Sequence, residues 1–290
     1  MAYKGWIDLR SDTVTRPSEG MRRAMYEAEV ADDTYEGDPT VNRLQELAAE
    51  KTATERALFV ASGTMGNLLG FLVNANAGEE VILGDSAHQF LWEVASFARV
   101  AQLAAHTVPF HNGWLDPQEV EAAIRLPFRE ATRTALICVE DPTNTGGGLV
   151  IPPEHLAKIA DVARRHGLRM HMDGARFFNA VVASGRPAGD FTQYVDTMSF
   201  CLSKGLGCPF GAMFCGRSEL IERAVAFRQM LGGGMRQAGI MAAAGVYALE
   251  HNIARMAEDH ANAKRLAAGI VDLFGAVSYT HLTLPTSYSV

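Results

Sequence analysis

The sequence of 290 residues predicts an α/β fold in which helices cover both faces of a mostly parallel β-sheet. Three observations lead to this prediction. Short apolar runs alternate along the chain with longer segments of helical character. Most of these runs are apolar almost throughout, as strands buried on both faces are. Small polar residues, glycine and proline follow their ends, which is where an α/β sheet places its ligands.

The chain begins with a polar arm and two helices. Residues 1–16 are polar and extended in character, and the segment 17–29 is typical of a helix. The loop 32–38 carries four carboxylates, but it lacks the alternating ligands and the closing glutamate of a calcium loop. Thr40 is then expected to cap a helix over 41–51.

The first strand is followed by a pattern that suits an anion. An apolar run at 57–60 leads into Ser62-Gly63-Thr64-Met65-Gly66-Asn67, which opens a helix that continues over 68–74. Backbone N–H groups, hydroxyls and the positive end of a helix would meet there. The pattern has neither the lysine of a P-loop nor a Gly-x-Gly-x-x-Gly fingerprint. By itself it is weak evidence, because Ser and Thr begin many ordinary helices.

Strands and helices alternate through the rest of the chain. Further strands are predicted at 80–83, 106–109, 134–140, 168–173, 195–202 and 212–215. Further helices are predicted over 88–100, from 115–117 onward, and over 152–166, 218–230 and 239–274. His88, Asp173 and Lys204 all fall at or just after strand ends, so we expect them to meet at one edge of the sheet.

Lys204 lies in a glycine-rich turn between two apolar runs. Lysine is almost never fully buried without a partner, and a lysine removed from water loses its proton more readily. A neutral amine is what carbonyl chemistry requires. The alternative is a surface turn with a solvated lysine, so the rest of the chain has to decide between them.

Composition excludes several classes of protein. The net charge of −7 argues against nucleic-acid binding. No apolar run reaches membrane-spanning length and the first residues lack a signal-peptide core, so we expect a cytoplasmic protein. Zinc ligands usually come in pairs two to four residues apart, so we expect no metal site. The cysteines fit inert core thiols instead: Cys138, Cys201, Cys208 and Cys215.

These groups together fit the chemistry of one cofactor. A lysine can hold an aldehyde as an imine, and an anion cradle can hold a phosphate. An imidazole can stack on an aromatic ring, and a carboxylate can keep a ring nitrogen protonated. Pyridoxal 5'-phosphate needs all four, because it stabilises a carbanion at the Cα of an amino acid.

On these residues the sequence resembles the L-threonine aldolase group of fold-type-I pyridoxal phosphate enzymes, over about residues 7 to 274. The segments that carry the resemblance are Ile7-Asp8-Leu9-Arg10-Ser11-Asp12-Thr13-Val14-Thr15, Asp38-Pro39-Thr40-Val41-Asn42, Ser62-Gly63-Thr64-Met65-Gly66-Asn67, His171-Met172-Asp173-Gly174-Ala175-Arg176, Cys201-Leu202-Ser203-Lys204-Gly205-Leu206 and Gly232-Gly233-Gly234-Met235-Arg236-Gln237-Ala238-Gly239.

The resemblance implies a three-layer, transferase-like large domain over 17–238, which follows the arm of residues 1–16. It also implies that 239–276 begins a small C-terminal domain, which is truncated here. Residues 277–290 differ abruptly in composition and are expected to be a non-native tail. A chain that ends in this way is expected to bind its cofactor weakly and to turn over slowly.

The resemblance also assigns roles to single residues. The implied catalytic residues are Lys204 and His88. The implied cofactor-binding residues are Ser62, Gly63, Thr64, His88, Asp173, Arg176, Lys204 and Arg236. Ser11 and Arg176 would hold the carboxylate of the substrate. Family members are homotetramers with shared active sites, and Arg236 would reach the phosphate in a neighbouring subunit.

The implied reaction is a retro-aldol cleavage of L-threonine, L-allo-threonine and related β-hydroxy amino acids, which gives glycine and an aldehyde. Many members carry a histidine before the strand at 134, near the substrate hydroxyl, where this chain has residues 129–133. This departure leaves the general base open, and Glu130 is the candidate replacement. His88 making only local hydrogen bonds and Arg176 in a structural ion pair remain alternatives.

Other functions also remain open. A β-eliminating lyase or a racemase acting on another amino acid would use the same fold and the same cofactor. A truncated, catalytically impaired aldolase or a scaffold without activity is a further alternative. A nicotinamide dehydrogenase is disfavoured, because the dinucleotide-binding fingerprint is missing.

Overall fold

The computed structural model describes residues 8–35, 37–111, 113–125 and 128–274. In these ranges the strands are β1 Arg56–Val60, β2 Glu80–Gly84, β3 Ala104–Val108, β4 Phe110–His111, β5 Trp114–Leu115, β6 Thr134–Glu140, β7 Arg169–Asp173, β8 Thr197–Cys201 and β9 Ala212–Gly216. The helices are α1 Glu19–Tyr26, α2 Pro39–Thr52, α3 Gly63–Asn74, α4 His88–Leu91, α5 Ser96–Arg99, α6 Pro117–Ala123, α7 Pro153–His166, α8 Phe177–Ser184, α9 Gly189–Thr192, α10 Ser218–Met230, α11 Gly239–His251 and α12 Met256–Phe274. Among the described residues, no helix is both long and apolar enough to cross a membrane.

Seven strands form one sheet in the order β1-β9-β8-β7-β6-β2-β3. The pairs from β3 to β8 are parallel, and β9 runs antiparallel to both of its neighbours. All strands of this sheet except β9 therefore end at the same edge. The mostly parallel sheet expected from the sequence is confirmed.

Both faces of the sheet are covered by apolar side chains, as the nearly continuous apolar runs predict. Leu58 and Val60 of β1 pack with α3 and α10 on one face. Ala57 and Phe59 of the same strand pack on the other face, in a cluster that includes residues of α2, α7, α8 and α11. This alternation explains why every residue of β1 after Arg56 is buried.

Three expectations from the sequence need correction. Asp38, not Thr40, caps α2, because its Oδ1 accepts from the N–H groups of Thr40 and Val41, each at 3.1 Å. The helix expected over 88–100 is broken into α4 and α5, with left-handed backbone at Val94 and Ala95 between them. The short helices α8 and α9 and the β4–β5 hairpin were not predicted.

The C-terminal part of the described chain is helical, as expected for 239–274. Helix α11 packs on α1 and α2, and a side chain at Gly245 would collide with Leu44 of α2. The division into an arm, a large domain and a small domain stays a prediction. The expected tail, residues 277–290, lies outside the described residues.

Candidate active site

The carboxyl ends of five strands bring four expected site residues, and Glu140 with them, to one edge of the sheet. Ser62 follows β1, His88 follows β2 and Glu140 ends β6. Asp173 ends β7, and Lys204 follows β8 by three residues. This edge is where ligands bind in open α/β sheets.

The start of α3 provides the anion cradle. The Oγ of Ser62 accepts a hydrogen bond from the N–H of Met65 at 3.2 Å and so caps the helix. The N–H groups of Gly63 and Thr64 belong to the first turn, which has no acceptors within the helix. A Cβ atom at Gly63 would lie 2.6 Å from the Sγ of Cys201, at the end of β8. The cradle therefore lies directly against the strand that leads to Lys204.

Lys204 is half-buried, which is more exposed than the buried lysine expected from the sequence. The segment after Lys204 forms a turn, in which the N–H of Gly207 donates to the carbonyl of Lys204 at 2.8 Å. Burial raises the pKa of the Cys201 thiol, and the positive charge of Lys204 opposes that shift. The amine therefore lies within electrostatic range of the residue that contacts the cradle.

Asp173 is buried, and both of its carboxylate oxygens have partners. Oδ1 accepts from the N–H of Ala175 at 3.0 Å, and Oδ2 accepts from the Nδ2 of Asn67 at 2.8 Å. The Asn67 side chain comes from α3, so the helix that begins with the anion cradle also holds this carboxylate in place.

His88 begins α4 and contacts residues from other elements. Its backbone N–H donates to Glu140 Oε2 at 2.8 Å, and its Nδ1 lies 3.0 Å from Glu93 Oε1. Ligand atoms of His88, Glu93 and Asp173 all lie within 4.8 Å of one another. The hydrogen bond of the imidazole is thus to a residue five positions away, whereas the backbone N–H reaches a distant strand, and the role of His88 towards the cofactor stays a prediction.

Glu140 adds a further buried carboxyl group to the same edge. Its Oε1 accepts from the N–H of Asn144 at 2.7 Å. Burial and the nearby charge of Asp173 raise the pKa of Glu140 to about 7.

Arg176 is held in an ion pair, the alternative that the sequence left open. Its Nε and Nη2 each lie 2.8 Å from an oxygen of Asp12, and Nη1 donates to Asn144 Oδ1 at 3.1 Å. Asp12 follows Ser11, whose Oγ accepts from the N–H of Thr13 at 3.2 Å. This ion pair anchors the N-terminal arm beside the site. A role for Ser11 and Arg176 in substrate binding stays a prediction.

Two expected residues lie apart from this cluster. Arg236 Nη1 donates to Thr34 Oγ1 at 2.8 Å and lies near Asp32, so within one subunit it binds the 32–34 loop. Its role in a neighbouring subunit stays a prediction. Glu130 is exposed and precedes β6, whereas the site lies beyond the far end of that strand, at Glu140. At roughly 3.3 Å per residue this strand is about 20 Å long, so within one subunit Glu130 lies far from the site, and its role as the base stays a prediction.

Three site residues were not assigned a role from the sequence. Asn67 belongs to a segment that carried the resemblance, but nothing in its position indicated that its side chain reaches Asp173. Glu140 ends an apolar strand, as Asp173 does, so the same rule could have found it. Glu93 gave no such signal, because it falls inside the segment expected to be one continuous helix.

The arrangement fits pyridoxal 5'-phosphate. The helix start at Gly63 and Thr64 suits the phosphate, and Gly63 has no side chain to block the approach. Asp173 offers a fixed carboxylate, His88 an imidazole and Lys204 an amine, as this cofactor requires.

The chain is similar to a known family and to several known proteins. Residues 8–283 match the beta-eliminating lyase family. The low specificity L-threonine aldolase of Escherichia coli K12 is 46% identical over 262 residues, which are 90% of this chain and 78% of that protein. The low-specificity L-threonine aldolase 1 of Arabidopsis thaliana is 44% identical over 275 residues, 93% of this chain and 76% of that protein.

A solved structure supports the fold. A threonine aldolase of Leishmania major superposes with a TM-score of 0.81 at 17% sequence identity, and the match covers 91% of this chain and 79% of that one. The family match spans nearly the whole chain, and the relatives are similar over most of their own length. The chain therefore belongs to the beta-eliminating lyase family.

Proposed function

We propose that this protein cleaves L-threonine, L-allo-threonine and related β-hydroxy amino acids to glycine and an aldehyde. The observation that carries the proposal is the convergence of the α3 cradle, His88, Asp173 and Lys204 at one edge of the sheet. The relatives from Escherichia coli and Arabidopsis thaliana are low-specificity L-threonine aldolases, which supports the same reaction.

The family acts with pyridoxal 5'-phosphate, which, when bound, supplies an electron sink for the pair of electrons left on Cα. In this chain the first turn of α3, with Ser62, Gly63 and Thr64, would hold the phosphate. Lys204 would hold the aldehyde group, and Asp173 would pair with the ring nitrogen. Because Asn67 and Ala175 already fix the carboxylate of Asp173, that pairing would need little rearrangement.

His88 is the residue of this edge that is best suited to take the proton of the β-hydroxyl group. Its Nδ1 is occupied by Glu93, so Nε2 is the ring atom that would act. The imidazole is about a third exposed, which leaves it open to the substrate. A histidine with a free ring nitrogen that can accept a proton suits general base catalysis.

The carboxylate of the substrate would bind near the N-terminal arm. Ser11 offers a hydroxyl group, and the Arg176 guanidinium offers positive charge next to it. Asp12 already neutralises much of that charge. A substrate carboxylate would therefore have to share the guanidinium with Asp12.

The test is to incubate the purified protein, loaded with pyridoxal 5'-phosphate, with L-threonine or L-allo-threonine and to measure the glycine and acetaldehyde released. We expect equal amounts of both products from the wild type and none from Lys204→Ala. Treatment with borohydride should bleach the absorbance of the cofactor bound through Lys204. Absence of both products from the wild type would contradict the proposal.

The family description also names β-elimination, which is the second candidate. An eliminase releases ammonia and a keto acid, so the products decide between the two. Ammonia and 2-oxobutanoate from L-threonine, without glycine, would favour elimination.

We also propose that the protein acts in the cytoplasm as a homotetramer with shared active sites, in which Arg236 serves a neighbouring subunit. Sedimentation equilibrium would test the tetramer. Cofactor titration of Arg236→Ala would test the shared site, because this substitution should weaken cofactor binding only in the assembled form.

A further inference from the structure

Glu93 is a buried carboxylate that the proposed function leaves without a role. It lies in the turn between α4 and α5, and its side chain is 0% exposed. Oε1 lies 3.0 Å from the Nδ1 of His88 and accepts from the Nδ2 of Asn67 at 2.7 Å. Oε2 is buried and has no hydrogen-bond partner within the described ranges. The carboxylate is therefore directed at His88 and only half satisfied.

The contact with Glu93 fixes the state of the imidazole. A neutral histidine carries one N–H, and a carboxylate at Nδ1 holds that hydrogen there, so Nε2 is left as the acceptor. Burial alone would lower the pKa of His88, but the bond with Glu93 and the charges of Asp173, Glu93 and Glu140 together raise it. These three carboxyl groups are the charged neighbours of the imidazole.

Asn67 connects Glu93 with Asp173. Its amide group donates one hydrogen to each carboxylate, at 2.7 Å to Glu93 and 2.8 Å to Asp173. Its carbonyl oxygen accepts from Ser199 Oγ at 2.7 Å and lies 3.2 Å from His171 Nε2, which fixes the orientation of the amide. The groups expected to meet the cofactor ring and the substrate hydroxyl are therefore held in one network.

The backbone next to Glu93 is also strained. Val94 and Ala95 have φ values of 54° and 52°, in the left-handed region that residues with a Cβ rarely adopt. Val94 is 85% exposed, so burial of this residue does not offset the strain. This turn directs Glu93 into the protein.

Three destabilising features thus occur together: an unpaired buried oxygen, a carboxylate close to that of Asp173 and two left-handed residues. Each is unfavourable for folding, and such features are typical of functional sites. A residue kept only for packing or for bonding Asn67 would not require a charge at this position.

We propose that Glu93 is the positioning residue of the aldol cleavage, holding His88 with Nε2 free and stabilising the imidazolium that forms. This inference rests on the proposed function. The proton moves from the β-hydroxyl oxygen to Nε2, and the O–H pair of electrons forms the C=O bond of the aldehyde. The pair from the broken Cα–Cβ bond stays on Cα, which later takes up a proton to give glycine. Burial and the charge of Asp173 raise the pKa of Glu93, and the bonds with His88 and Asn67 oppose that shift and so favour the charged carboxylate.

The first test compares Glu93→Gln with the wild type, both loaded with cofactor. Glutamine keeps the size and an acceptor oxygen but loses the charge. We expect kcat/KM for L-threonine to fall about 100-fold, the scale of general base catalysis, with KM changed little. Exchange of the glycine α-proton with D2O needs no proton from a hydroxyl group and should change less than about twofold. Glu93→Asp should recover part of the lost activity.

The second test needs neither cofactor nor turnover. The pKa of His88 is measured by NMR in the protein without cofactor, and the signal is assigned with His88→Gln. Glu93→Gln should lower this pKa and redistribute the hydrogen between the two ring nitrogens. Its melting temperature should stay the same or rise, whereas loss of a purely structural residue would lower it.

Glu80→Gln is the matched control. Glu80 is also fully buried, and it bonds Arg125 at 2.6 Å and Thr134 at 2.9 Å at the opposite edge of the sheet. The Glu80→Gln substitution should lower the melting temperature and leave the His88 titration unchanged. If Glu93→Gln retained both the wild-type kcat/KM and the wild-type His88 titration, the inference would be overturned. If the wild type released no glycine while the titration shifted as expected, the proposed function would fail, but not the contact between Glu93 and His88.

Discussion

At Gly63 the anion cradle and the strand that leads to Lys204 come closest together. A Cβ atom there would lie 2.6 Å from the Sγ of Cys201, a separation that real Cβ atoms essentially never show. We expect Gly63→Ala to lower the free energy of unfolding by about 1–3 kcal/mol through overpacking, and to weaken cofactor binding. Urea unfolding and cofactor titration are the measurements.

The double variant Gly63→Ala/Cys201→Ala tests this cause. Removing the Sγ makes room for the new methyl group, so the double variant should be more stable than Gly63→Ala alone. Gly269→Ala in α12 is the control, because a Cβ there has open space and should stabilise the helix by about 0.5–1 kcal/mol. If Gly63→Ala were as stable as the wild type, the close packing would be refuted.

The buried ion pair between Asp12 and Arg176 gives a second prediction at the residue scale. The two side chains are 5% and 9% exposed, so Asp12→Asn would leave a largely buried guanidinium without the carboxylate that neutralises its charge. We expect a loss of about 3 kcal/mol in the free energy of unfolding. Glu154→Gln breaks an exposed pair with Arg186 and should cost much less. Equal effects of the two substitutions in urea unfolding would contradict this view.

At the scale of the element, the break between α4 and α5 is a testable source of strain. Val94→Gly replaces a β-branched, exposed residue in left-handed backbone with the residue that adopts it freely. We expect the free energy of unfolding to rise by about 1 kcal/mol. Val100→Gly is the control, since Val100 is partly exposed but has φ −110° and should lose stability on the same change. A lower melting temperature for Val94→Gly would show that the turn is not strained.

At this scale the positions of several strands were predictable for a physical reason. The strands β1, β2, β6 and β9 were placed within a residue or so, because apolar runs bounded by glycine and polar residues leave little choice. The prediction of one helix over 88–100 was wrong, because valine and alanine are not residue types that indicate left-handed backbone. A bond between Glu93 and Asn67, which are 26 positions apart, accompanies that conformation, and such a contact is not local in sequence.

At the scale of the whole molecule, buried titratable groups make stability depend on pH. Asp141 is fully buried; burial, opposed by a hydrogen bond from Ile151, raises its pKa to about 7. An unfolded chain releases this proton near pH 4, so the fold holds one proton more between about pH 4 and 7. Stability from this group is therefore greatest below pH 4 and is lost as the pH rises towards 7.

Asp141→Asn removes this dependence. Between pH 4 and 7 the wild type should lose stability relative to the variant. We expect the free energy of unfolding of the variant minus that of the wild type to rise by at most about 1.4 kcal/mol per pH unit. Burial lowers the pKa of His171 to about 4, so this residue makes stability depend on pH with the opposite sign. Because His171 is present in both proteins, its contribution should largely cancel in the difference between them. Exposed Asp161→Asn is the control. A difference that does not change with pH would contradict the prediction.

The site was predictable from the sequence to the extent that single strand ends determine it. Asp173 and Lys204 stand at such ends, and the cradle at Gly63 follows another, so the topology alone brings them together. The partners that orient them were not predictable. Asn67 reaches Asp173 across 106 positions of sequence, and Asp12 reaches Arg176 across 164. Such closures depend on packing between distant segments.

Strand β1 is synthesised long before β9, the strand with which it pairs. Within the sheet β1 pairs only with β9, as Arg56 faces Gly216 and Val60 faces Ala212. A ribosome adding about 5–20 residues per second needs on the order of ten seconds or more to reach the second strand after the first. Throughout that interval the nascent Ala57-Leu58-Phe59-Val60 segment has no strand beside it, and it must be shielded by α2 and α3 or by a chaperone.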